Sequence, residues 1–129
     1  MKYYIETKVA DEFESAIEKA TKALATEGFG VLTRINIHEK LKDKLDVDFR
    51  KYAILGACNP TFAHLALQHE DKIGTMLPCS VIVQETDDGK IEIAAVDPIA
   101  SMQAIENPNL ESLATEVKTK LTNAIGSIQ

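Results

Sequence analysis

Cys79-Ser80-Val81-Ile82-Val83-Gln84-Glu85-Thr86-Asp87-Asp88-Gly89-Lys90-Ile91-Glu92-Ile93-Ala94-Ala95-Val96 is the stretch that decides the fold class. Two runs rich in β-branched residues flank Asp87-Asp88-Gly89-Lys90, which has the composition of a tight reversal. The stretch therefore reads as a hairpin of two antiparallel strands, begun after Pro78 and ended by Asp97-Pro98. A parallel doubly wound sheet would need a helix between those strands. None fits in four residues, so an α+β fold is expected.

Upstream, Tyr52 to Cys58 is a further strand. Asn59 can cap the helix that follows, and Pro60 occupies a position where the helix can spare an N–H; that helix should reach about His69. Val31 to Ile37 is expected as a strand after Gly28, which suits the left-handed position beyond a helix end. The helix before it is marked by Phe13, Ala16, Ile17, Ala20 and Leu24 at spacings of three and four, with Asp11 and Glu14 as a possible capping pair. Tyr3, Ile5 and Thr7 alternate with Tyr4, Glu6 and Lys8, as in a strand with one protected face. Between His38 and Lys51, alternating charge with Leu41 and Leu45 four apart suggests a short helix lying over the surface.

Downstream, Pro98 and Pro108 bracket a connection with about one helical turn. A last helix then carries Leu110, Leu113, Ala114, Val117, Leu121, Ala124, Ile125 and Ile128 on one face. The expected order is strand, helix, four strands with short helical inserts, helix: a single α+β domain over residues 1–129, with an antiparallel or mixed sheet and two long packing helices.

A length of 129 residues and a 45% hydrophobic share fit one core. Fourteen basic against twenty acidic residues give 14 − 20 = −6, which disfavours nucleic acid or an acidic membrane surface as a partner. No run of about 20 apolar residues is present, and the first residues lack the apolar core of a secretion signal. A cytoplasmic chain with its two cysteines as free thiols is expected.

Those cysteines are Cys58, at a strand end before the Asn59-Pro60 helix start, and Cys79, at a strand start after Pro78. The positive end of the helix would favour a thiolate at Cys58. The alternative for each is a small buried apolar side chain. Their separation of 79 − 58 = 21 residues matches no CxxC metal or redox signature, and a tetrahedral metal site would need two more ligands. His64 and His69 stand about 140° apart on an ideal helix, too far round to share an ion, and His38-Glu39 lacks the second His of a zinc-protease motif. Arg34, Asn36 and His38 share one strand face, either lining a pocket or forming the solvated side of a sheet covered on its other side. The sequence contains no GxSxG, P-loop or complete GxGxxG, and no cofactor is specified.

The blocks Gly28-Phe29-Gly30-Val31-Leu32-Thr33, Tyr52-Ala53-Ile54-Leu55-Gly56-Ala57-Cys58-Asn59-Pro60, Gly74-Thr75-Met76-Leu77-Pro78-Cys79 and Asp97-Pro98 together resemble the prokaryotic domain of unknown function 302 family. The resemblance covers nearly the whole chain. It implies a compact α+β domain commonly paired as a homodimer, and it lends no settled activity. The family's usual LPCN has Ser80 in place of Asn here. The resulting expectation is a dimeric ligand-binding or interaction module with a thiol-lined pocket near Cys58, Asn59, Pro60, Pro78 and Cys79, with Arg34 and His38 as further candidates. A small-molecule or anionic ligand would suit it. The alternatives are a thiol-dependent enzyme or redox protein using Cys58 and Cys79, and a structural homodimer without ligand chemistry.

Overall fold

The reversal at residues 86–90 forms as its composition dictates. The Thr86 N–H donates to the Lys90 carbonyl at 2.9 Å, and Gly89 takes φ 77°, a value that suits a residue without Cβ. Asp88 accepts from the Thr86 hydroxyl and from the Lys90 N–H, contacts that hold its carboxyl down to about 2. This turn joins two neighbouring strands of a five-stranded sheet.

The structure is a computed structural model and describes residues 2–129. In chain order it contains β1 (Tyr4–Val9), α1 (Phe13–Thr26), β2 (Gly30–Asn36), α2 (Ile37–Leu45), β3 (Tyr52–Cys58), α3 (Pro60–His69), a 3₁₀ turn (Asp71–Met76), β4 (Cys79–Glu85), β5 (Ile91–Val96), α4 (Pro98–Ser101) and α5 (Asn109–Gly126). The sheet order is β1-β5-β4-β3-β2, and every neighbouring pair is antiparallel. The fold is α+β, as expected. Among the described residues, no helix is long and apolar enough to cross a membrane.

α1 and α5 lie on one face of the sheet. Their apolar stripes, including Leu24 and Leu121, meet Leu55 of β3, Val81 and Val83 of β4, and Ile93 of β5, all essentially buried. A second, smaller cluster forms where α3 and the 3₁₀ turn reach α5: Ala66, Ile73 and Leu110, flanked by Leu77, Met102, Ile105 and Leu113. The opposite sheet face is left to solvent, with Ile35 44% exposed and Ile54, Ile82 and Val96 half-buried.

Three local expectations are corrected. β2 ends at Asn36, so His38 belongs to α2 rather than to a strand face. Glu12 precedes α1 without a side-chain cap; Asp11 instead binds Lys19 at 2.7 Å, and the same ammonium donates to the Gln129 carbonyl. Arg34 and Asn36 lie opposite Leu55 and Ala53, on the face that bears the helices and not on the open one.

Gly56 shows how closely the chain packs at the open face. A Cβ there would collide with the Thr33 hydroxyl oxygen and sit 2.8 Å from Pro78 Cγ, whereas one at Gly30 would meet nothing within 4 Å. Gly56→Ala should therefore lower the unfolding free energy by about 1–3 kcal/mol in urea denaturation. Gly30→Ala should stay within about 0.5 kcal/mol of the parent.

Asp97 is the buried carboxylate that ends β5, at 6% exposure. It accepts from the Ile99 N–H at 2.9 Å and the Ala100 N–H at 3.4 Å, capping α4, and pairs with Lys118 of α5 at 2.9 Å. Burial pushes its pKa up, but the hydrogen bonds from Lys118 and the two amides outweigh it and hold the carboxyl below its ordinary value. A depressed folded-state pKa stabilises the fold above the unfolded value near ~3.9, and that contribution is lost as pH falls through the folded value. Asp97→Asn should cost about 1–2 kcal/mol at pH 7. In chemical denaturation from pH 7 down to pH 3, the gap between parent and variant should narrow below about pH 4.

Candidate functional site

The two cysteine-bearing blocks meet at one end of the sheet. In the β3–β4 ladder, Ala57 is the register partner of Cys79, so Cys58 is offset from Cys79 by one residue. Strand spacing and rise place their Cα atoms about 6 Å apart. Within the ladder, the residue directly opposite Cys79 is Ala57, and Cys58 follows it as the last residue of β3. Both are free thiols.

The start of α3 is held by Asn59. Its Oδ1 accepts from the Phe62 N–H at 3.5 Å, and its Nδ2 donates to the Glu27 carbonyl at 3.3 Å, tying α3 to the end of α1. Gly28, at φ 86°, leaves room for this contact; a Cβ there would stand 3.0 Å from Asn59 Nδ2. Pro60 is the first residue of α3 and is exposed. Pro78, on the other side, follows a cis Leu77–Pro78 peptide and covers Gly56.

Between these blocks lies a narrow cavity of about 40 Å³. Cys58, Asn59, Pro78 and Cys79 border it, while Pro60 does not. The remaining wall is apolar: Phe29, residues of α3 such as Phe62 and Ala66, and the α5 face from Leu110 to Val117. The cavity is the seam between the two apolar clusters, with Phe29 and Ala57 from the larger and Ala66 and Leu110 from the smaller. Its apolar wall could be found in the sequence only as the buried stripe of the last helix. Phe29 stood out only as part of the Gly28-Phe29-Gly30 block, and Phe62 and Met102 gave no signal, because they come together through tertiary packing.

The two thiols differ. Cys79 is 9% exposed, and its pKa is pushed up to about 11, first by burial and then by the neighbouring Cys58. It is therefore held as a neutral thiol at physiological pH. Cys58 is half-buried at the cavity edge.

Arg34 and His38 border no part of this cavity. The Arg34 guanidinium grips Glu14 of α1 with two hydrogen bonds, at 2.6 and 3.0 Å, and its Nε donates to Asn36, which in turn donates to Glu39. That pairing raises the pKa of Arg34 and lowers that of Glu14, hydrogen bonding being the first cause in both. His38 Nδ1 accepts from the Tyr52 N–H at 3.0 Å, and the ring stands edge-on to Phe13. Tyr52 opens β3 and Cys58 closes it, so this polar cluster and the cavity are separate places. Among the described residues, no group of three or more His, Cys, Asp or Glu is placed to hold a metal ion.

Comparison with known proteins places this geometry in a family. No curated protein matches the chain. A solved structure, described as the crystal structure of an uncharacterized conserved protein DUF302 from Bacillus stearothermophilus, superposes with a TM-score of 0.92 at 27% sequence identity, covering 100% of both chains. The family model described as "Domain of unknown function DUF302" matches residues 5–128, and the chain belongs to that family.

Proposed function

We propose that this chain is a dimeric ligand-binding module whose seam cavity takes a small, largely apolar group beside Cys58. The carrying observation is the cavity itself, bounded by Cys58-Asn59 on one side and Pro78-Cys79 on the other. Well-packed cores close such gaps, and a gap of about 40 Å³ at the junction of two clusters leaves space for about three water-sized groups. Apolar walls with a single polar edge suit recognition of a small molecule. The reading as a thiol-exchange enzyme receives less support, because burial holds Cys79 as a neutral thiol.

The open sheet face supports the dimeric part. Its middle is apolar, with Ile54, Ile82, Ala94 and Val96, while Glu6, Lys8, Glu92 and Arg50 lie towards its margin. Tyr3, Tyr4 and Tyr52 all border the shallow concavity on this face, and they are the only three tyrosines in the sequence. An apolar centre, charged margin and aromatic enrichment are the composition of an interface. Five strands of six or seven residues give this face a footprint of roughly 24 by 20 Å.

Native mass spectrometry of the purified chain, run with and without reductant and chelator, should show a low-mass adduct that Ala63→Leu, which fills the cavity, abolishes. Iodoacetamide should modify Cys58 at least about tenfold faster than Cys79. A bare chain mass together with equal alkylation rates would remove the ligand-binding reading. In sedimentation equilibrium the parent should have the mass of two chains, and Ile82→Glu the mass of one with unchanged far-UV circular dichroism. A monomeric parent would remove the dimeric part.

A further inference from the structure

The seam cavity has a neighbour. A cleft of about 340 Å³ lies between α4, the connection that follows it and the first turns of α5. Met102, Leu110 and Ala114 border both spaces. Leu110 and Ala114 are buried on α5, at 3% and 5% exposure, and are fixed by that helix. Met102 is half-buried in the connection, and its unbranched thioether chain has three rotatable bonds. It is the part of the common wall that a side-chain rotation can move.

We infer that the cavity and the cleft are one two-part binding site, partitioned by Met102, for a small amphipathic molecule with an apolar end and an uncharged or cationic polar end. This rests on the reading of the cavity as a ligand site and narrows the class of ligand. The inner part holds only a few heavy atoms and is walled by apolar groups, so it takes the tip of an alkyl chain. The outer part has more than eight times the volume, at 340 against 40 Å³, and carries the polar side chains Gln103, Asn107, Glu111 and Thr115.

Two of these are committed within the protein. Asn107 donates to the His69 carbonyl at 2.8 Å and accepts from the Asn109 N–H, and the Thr115 hydroxyl donates to the Glu111 carbonyl. The Gln103 amide and the Glu111 carboxylate are exposed and make no hydrogen bond or ion pair among the described residues, so a ligand in the cleft would meet them in exchange for water. Among the described residues, no Lys, Arg or His borders either space, and Glu111 is the only formally charged side chain that does. Lys120 approaches at the far side, over the ring of Phe62, which borders only the inner cavity. With a chain charge of −6, a carboxylate in the cleft would meet only the like charge of Glu111, whereas an ammonium would gain an ion pair there and an alcohol could donate a hydrogen bond to it.

The test uses the full chain labelled with ¹³C at the methionine methyls of Met1, Met76 and Met102, the Met102 signal being assigned from Met102→Leu. Hexan-1-ol, hexylamine and hexanoate are titrated at constant ionic strength and pH 7, and the rate of Cys58 alkylation by iodoacetamide is followed in parallel. The expected result is a saturable shift of the Met102 methyl and slowed alkylation of Cys58 with hexan-1-ol and hexylamine, with hexanoate binding about tenfold or more weakly. Glu111→Gln should weaken hexylamine severalfold and leave hexan-1-ol unchanged. Slowed alkylation with an unmoved Met102 signal would overturn the two-part site while leaving the cavity reading in place. Hexanoate binding as tightly as hexylamine would overturn the choice of polar end. If neither signal responds to any of the three, the cavity reading fails and this inference with it.

Discussion

Coverage of an antiparallel sheet on one face only is the constraint from which the other features follow. α1 and α5 bury the row formed by Leu55, Val81, Val83 and Ile93. They do not by themselves close the end of the sheet at which Cys58 and Cys79 lie. That end is closed by α3 and the 3₁₀ turn, which bring a small apolar cluster of their own around Ile73 and Leu110. Two clusters built on different elements meet along a line where neither fills all the space, and the cavity runs along it. The same one-sidedness leaves Ile35, Ile54 and Ile82 uncovered on the other face.

Features that depend on near neighbours in the chain were legible in the sequence. The Asp88-Gly89 turn, the left-handed Gly28, the Asn59-Pro60 helix start and the apolar stripes of α1 and α5 each need only a few adjacent residues, or a period of 3.6, to be recognised. The errors fall where a distant partner decides. Asp11 looked like a capping residue for α1, but the Lys19 ammonium, bridging it to the Gln129 carbonyl, outcompetes the helix amides for its carboxylate. His38 continued the alternation of β2 by composition, but its ring is claimed by the Tyr52 N–H across the connection, and the chain has already turned into α2.

The candidate site was legible in half. Both cysteine blocks do converge, as their matching strand-end positions suggested, because β3 and β4 are neighbours in register through Ala57 and Cys79. Arg34 was drawn into the same site by its place on a polar row, yet its guanidinium is used up by Glu14, some twenty residues earlier in the chain. No spacing rule carries that information. Met102 and Phe62 were invisible for the converse reason: an apolar side chain becomes a cavity wall only when packing fails to reach it, and that is a property of the whole fold.

Pleat parity also divides what reads in the sequence as one motif. Along Pro78-Cys79-Ser80, Cys79 faces the helices and borders the cavity, whereas Ser80 lies opposite Gly56 and borders the concavity of the open face. Pro78 joins the two surfaces, bordering the cavity while its ring covers Gly56. A substitution at position 80 therefore acts first on the face proposed to meet a second copy, and a substitution at position 79 acts on the cavity. The Ser80 side chain accordingly presents its hydroxyl to the open face and is not part of the cavity wall.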